Sequence, residues 1–166
     1  MWSPSRNVRA SAGANGNTAS VGITLIELIL LAGILGMLLA VGIPVYNNYR
    51  DKAKNARAAA DIVVIQFDLR MFTSVGSGQF PDNLETLGRG TIRDPWGNPY
   101  QYLNMATVKG LGGVRKDRFL VPLNSDYDLY SMGKDGRSKA PLTAKDSRDD
   151  IIRAGNGAFI GVAADF

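Results

Sequence analysis

The sequence predicts an α+β fold, a long amino-terminal helix packed on a small antiparallel β-sheet. Three observations predict it. An apolar run over residues 22–45 leads into a stretch that keeps helical spacing to about Phe72. Beyond Gly78 the chain changes to short apolar or aromatic runs separated by Gly, Pro, Asn and Asp, the pattern of strands and turns. One of these runs, residues 126–131, alternates in the way of a strand with one buried face. A chain of 166 residues holds one such domain and an anchor.

Residues 1–22 are polar and small, with Arg6 and Arg9 and no acid. Such a segment stays on the cytoplasmic side of a membrane under the positive-inside tendency. It is unlike an ordinary secretory signal, in which the apolar core precedes the cut; here the apolar core follows Gly22. Residues 28–45 give 18 positions without a charge. At ~1.5 Å per residue they extend about 27 Å, just enough to cross a bilayer. Gly33, Gly36 and Gly42 permit close approach of neighbouring helices. Pro44 breaks or bends the helix, because it lacks an N–H and clashes one turn back.

Glu27 is the one charge in this run. A bare carboxylate in hydrocarbon is unfavourable by several kcal/mol or becomes neutral, so Glu27 asks for a cationic partner. The plainer reading is an acid in the first helical turn, which favours the helix dipole by under ~1 kcal/mol.

Past the apolar run, Tyr49, Ala53, Ala56, Ala60, Val63, Phe67 and Met71 recur every three or four residues and form an apolar stripe. Arg50, Lys52, Lys54, Arg57, Asp61, Asp68 and Arg70 take the other faces. One helix over about 24–72 follows, apolar all round in its first half and amphipathic in its second. The small alanines let another layer pack closely on that stripe.

Residues 79–87 read as a loop and a short helix capped by Asp82 or Asn83. Residues 94–100, Asp-Pro-Trp-Gly-Asn-Pro-Tyr, are dense turn chemistry around a large aromatic, with Trp96 filling core. Strands are expected at 100–104, 118–123, 127–132 and 158–162, packing over the amphipathic helix half. Residues 109–113 read as a mobile glycine loop.

Composition closes several routes. There is no Cys, so no disulfide fixes a loop. There is no His, which removes most zinc sites and His-based triads. The net charge is +4, and without Arg6 and Arg9 the chain has 17 basic against 15 acidic residues. That balance, with no basic cluster among aromatics, gives no reason to expect nucleic acid. A DNA-binding filament protein would rest on Lys134, Arg137, Lys139 and Lys145, a weak basic stripe. A membrane-anchored enzyme would need a carboxylate pair such as Asp135 and Asp149.

Gly22-Ile23-Thr24-Leu25-Ile26-Glu27 with the apolar run after it resembles the class III signal of type IV pilins and pseudopilins. Pro44 falls where that family carries its helix-bending proline. Ile23 stands for a commoner Phe, and Val21 for a polar or basic residue. Residues 80–87 and 94–100 resemble, within the family, the major G-type pseudopilin of type II secretion. The fold implied is type IV pilin-like.

The resemblance implies a division into a cleaved leader over 1–22, a transmembrane and filament-core helix half over 23–45, and a periplasmic domain over 46–166. It implies a prepilin peptidase that cuts after Gly22 and methylates the new amine of Ile23. Glu27 then meets the Ile23 amine of a neighbouring subunit, a pairing in which each buried charge needs the other. It implies a homopolymeric filament, with minor pseudopilins and an inner-membrane assembly platform as partners. The chain would sit in the bacterial inner membrane before assembly and in a periplasmic filament afterwards. A type IV pilus subunit for adhesion, motility or DNA uptake is the alternative reading. Absence of the disulfide-closed loop of many pilins favours secretion.

Residues 130–136, Tyr-Ser-Met-Gly-Lys-Asp-Gly, followed by Asp149 and Asp150, resemble the calcium loop of G-type pseudopilins. Calcium takes six to eight hard oxygens from carboxylates, carbonyls and water. The resemblance implies Asp135, Asp149 and Asp150 as carboxylate ligands and the backbone carbonyls of Met132 and Arg137 as others. The intervening stretch, 137–148, is longer than in the family and carries Lys139, Lys145 and Arg148. Asp146 is a spare candidate.

Overall fold

The computed structural model describes residues 22–76 and 78–166. Positions 1–21, and with them most of the expected leader, lie outside the described residues. Two units, residues 1–42 and 43–166, are described separately.

Helix α1 runs over Leu25–Val75, 51 residues. Thr24 starts it: its Oγ1 accepts the Glu27 N–H at 3.3 Å and its carbonyl accepts the Leu28 N–H at 3.1 Å. Pro44 lies inside the helix, so of the break or bend expected there, the break does not occur. Loss of one N–H donor leaves the turns on either side intact. In the first unit the apolar side chains of α1 are exposed, Leu28, Leu31 and Leu38 among them. Among the described residues α1 is the one helix long and apolar enough to cross a membrane.

In the second unit the sheet covers a different face of α1 from the one expected. The buried positions are Ala58, Ile62, Ile65 and Leu69. Tyr49, Ala53, Ala56, Ala60, Val63, Phe67 and Met71 are all exposed. At ~100° per residue the two stripes lie on opposite sides of the helix. Both are apolar at helical spacing, so periodicity alone does not choose between them. The sheet takes the stripe of Ala58, Ile62, Ile65 and Leu69 and removes that face from water.

A single 3-10 turn, Leu84–Leu87, follows. Asn83 caps it, with Oδ1 accepting the Thr86 N–H at 3.1 Å. Four strands then form one antiparallel sheet in the order β1-β2-β3-β4. They are β1 Gln101–Asn104, β2 Tyr127–Ser131, β3 Ile151–Ala154 and β4 Phe159–Val162. Register pairs Tyr102 with Leu129, Tyr130 with Ile152, and Ile152 with Gly161.

Two expectations about strands are corrected. Residues 118–123 form no strand, and Phe119 is 99% exposed. Asp117 and Leu120 close a tight turn there, and Pro122 has no N–H to give a ladder. Conversely, the sequence predicts no strand over 151–154, where β3 forms. All four of its residues are buried, so it shows no alternation to read.

β2 is likewise buried on both faces except at Tyr130, against the expectation of one buried face. Tyr127, Leu129 and Ile151 join Ala58, Ile62, Ile65 and Leu69 in the core between sheet and helix. Ile152 and Ala154 point the other way, into a second core with Leu123, Leu142 and Ala163 from the loops. The domain is therefore helix, sheet and a layer of ordered loop.

Candidate cation-binding loop

The turn after β2 is built by two motifs that sequence places far apart. Asp94 is buried, and its Oδ1 accepts the N–H groups of Trp96 at 3.0 Å and Asn98 at 2.8 Å. This Asx-type turn shapes residues 94–98. Trp96 packs against the helix–sheet core, as expected. The other carboxylate oxygen of Asp94 accepts the Ser131 hydroxyl at 2.6 Å. Asn98 donates from Nδ2 to the carbonyl of Gly133 at 3.1 Å.

Gly133 has φ of 64°, a left-handed conformation. A Cβ there would collide with the backbone oxygen of Asp149. The carboxylate of Asp149 accepts the N–H groups of Lys134 at 2.8 Å and Asp135 at 3.0 Å through Oδ2. Asp135 accepts the Arg137 N–H at 2.8 Å. Asp149 thus closes the turn that carries Asp135, and Met132 in that turn is half-buried. Lys134 reaches α1, its Nζ 2.7 Å from Asp51.

Asp150 points elsewhere. It is fully buried, and its Oδ2 accepts from Arg115 Nη2 at 2.6 Å and from the Ser138 hydroxyl at 2.6 Å. Burial pushes its carboxyl up to about 6, while Ser138 and Arg115 pull it down. Its Oδ1 is buried without a partner. Asp146 pairs with Lys139 at 3.1 Å. Among the described residues, no group of three or more acidic side chains is placed to hold one metal ion. Asp149 closes the turn that carries Asp135, and Asp150 keeps one buried oxygen, Oδ1, without a partner.

Sequence reading missed two buried arginines. Arg115 lies in a glycine-rich segment where a base looks like any solvated one. Arg153 sits on β3, with bonds to Asp126 at 2.6 and 2.8 Å and to Gln66 of α1 at 2.6 Å. Its guanidinium also stacks 4.1 Å from the Tyr127 ring centroid. A lone Arg among isoleucines and alanine in 151–154 was the available signal.

At the other end of the chain, Gly22 and Ile23 are exposed, as is Glu27 on the first turn of α1. The cap formed by Thr24 accounts for the position of the Glu27 N–H, and leaves its carboxylate free of any described partner.

No family model matches the chain, and no solved structure does. Curated proteins do. The type II secretion system core protein G of Pseudomonas aeruginosa is 33% identical over 137 residues, 70% of this chain and 84% of that protein. The protein of the same name from Dickeya chrysanthemi is 28% identical over 82% of this chain and 89% of its own length. That from Klebsiella pneumoniae is 27% identical over 78% and 91%. With the capped apolar helix, the helix-on-sheet domain and the 94–100 turn braced on 131–133, this similarity shows that the chain belongs to the family of type II secretion system core protein G.

Proposed function

We propose that the chain is the structural subunit of a type II secretion pseudopilus, a helical filament that drives protein export. The observation that carries this is the similarity to core protein G together with an exposed apolar helix half that has Glu27 in its first turn. A prepilin peptidase cuts after Gly22 and methylates the amine of Ile23. The subunit waits in the bacterial inner membrane by its apolar helix, with residues 46–166 in the periplasm. On assembly the apolar helices bury their surface against other copies instead of lipid. Glu27 then pairs with the Ile23 amine of a neighbour and sets register. Minor pseudopilins and an inner-membrane assembly platform are the partners. The role is structural, without catalysis.

The test is Glu27→Ala in the secreting cell. Membrane insertion and cleavage at Gly22 stay largely intact, while filaments and export are lost. Normal filaments from that variant would sink the pairing role.

Calcium belongs to the same proposal. Asp135 and Asp149, the carbonyls of Met132 and Arg137, and Oδ1 of Asp150 would hold it. When bound, the ion neutralises these acids and stiffens the turn after β2. Melting of the full-length protein in detergent with calcium and with chelator tests this, since a ligand of the folded state raises the midpoint. Equal midpoints would end the calcium reading.

A further inference from the structure

We propose that Arg115 is a built-in cation that holds the carboxy-terminal loop, residues 138–150, in place without a metal. This goes beyond the calcium reading and stands whether or not that reading does.

The observations begin in the backbone. Arg115 and Lys116 form a short strap along the loop. The Lys116 N–H donates to the Ala140 carbonyl at 3.1 Å, and the Leu142 N–H to the Lys116 carbonyl at 2.9 Å. Lys116 and Pro141 form a parallel bridge. The strap is itself pinned to the sheet: the Arg115 N–H donates to Asp128 of β2 at 2.7 Å, and the Leu123 N–H to the Arg115 carbonyl at 2.8 Å. Alternation along an extended strap sends the Lys116 side chain outward and the Arg115 side chain inward.

Arg115 is 3% exposed. Its Nη1 donates to the Ser138 hydroxyl at 2.5 Å and to the Lys139 carbonyl at 2.7 Å. Its Nη2 meets Asp150 at 2.6 Å, and Tyr130 lies under the guanidinium plane, 4.2 Å from Cζ to the ring centroid. A carboxylate, a hydroxyl and a carbonyl converge on one cation. That is the oxygen set a hard metal ion would take, here satisfied by a planar fork that cannot lose its charge. The loop it closes is long and carries Lys139, Lys145 and Arg148 against Asp146, Asp149 and Asp150. Arg115 touches both ends of that loop at once, Ser138 and Lys139 on one side and Asp150 on the other. An ammonium is a point donor and does not span the three acceptors.

The test is amide hydrogen exchange, read segment by segment, on the full-length protein in detergent. Wild type, Arg115→Lys and Asp150→Asn are each measured with chelator and with calcium. Arg115→Lys keeps the charge and stem, so the sheet and helix remain folded. With chelator, wild type keeps residues 138–150 protected, and Arg115→Lys exchanges there roughly tenfold faster, with α1 and β2 unchanged. Asp150→Asn loosens the same segment. Three results would each overturn the assignment: wild type losing protection there in chelator, Arg115→Lys protected like wild type, or protection falling evenly over the whole domain. Failure of the calcium reading shows separately, as melting midpoints that ignore calcium.

Discussion

The carboxylate of Asp94 and the hydroxyl of Ser131 meet at 2.6 Å across 37 positions of sequence. This contact joins the proline-bounded turn of 94–100 to the turn that follows β2. One oxygen of Asp94 shapes its own turn and the other braces the distant one. Asp94→Ala removes three hydrogen bonds and strands a buried hydroxyl, a loss of about 3 kcal/mol. Asp94→Asn keeps the Oδ1 acceptor and loses about 1 kcal/mol. Denaturant unfolding of the two variants checks the ratio.

The two stripes of α1 differ in what they support. Leu69 is fully buried and Phe67, two positions earlier, is exposed. Leu69→Ala lowers stability by about 2–5 kcal/mol. Phe67→Ala changes it by no more than about 0.5 kcal/mol in the unassembled protein. The same unfolding measurement separates them, and equal losses would show the wrong face was assigned to the sheet.

Gly133 is fixed by its neighbour. Gly133→Ala adds a Cβ into the backbone of Asp149 at a left-handed φ. The expected loss is about 2 kcal/mol or more. Gly110 also has a positive φ, but open space around it. Gly110→Ala therefore shows only the conformational strain, about 1 kcal/mol. Thermal melts of the pair give the difference.

Asp126 carries a pH dependence of stability. Burial pushes its carboxyl up, but the Arg153 fork and the Tyr127 N–H outweigh it and hold the group below the usual carboxylate value. The unfolded chain titrates near pH ~4. The stabilisation is thus fully present above about pH 4 and is lost as pH falls through the lower folded value. Asp126→Asn is less stable than wild type at neutral pH, and the gap narrows below pH ~4. A gap that stays constant down to pH ~2 would contradict the pairing.

Much of the architecture was legible in residues. The helix could be read from 3.6-residue spacing, and β1, β2 and β4 from short apolar runs between turn residues. β3 could not, since a strand buried on both faces has no alternation. Residues 118–123 misled in the opposite direction, because Phe, Leu and Val favour strands only where a neighbouring strand takes their hydrogen bonds. In the candidate site, the Asp149 carboxylate accepts the Asp135 backbone N–H. Asp150 turns to Arg115, a partner 35 positions earlier that no local pattern connects to it.

By itself the sequence determined the local features: the glycine before an apolar run, the acid at position 27, the caps and the tight turns. Each depends on residues within one helical turn or one loop. Tertiary structure decided which helix stripe is buried, which oxygen Asp150 keeps free, and where Arg115 and Arg153 place their charges. Those outcomes depend on which surfaces meet. Two stripes of similar hydrophobicity compete for one sheet, and a buried charge stays only where the folded chain brings its partners within hydrogen-bond distance.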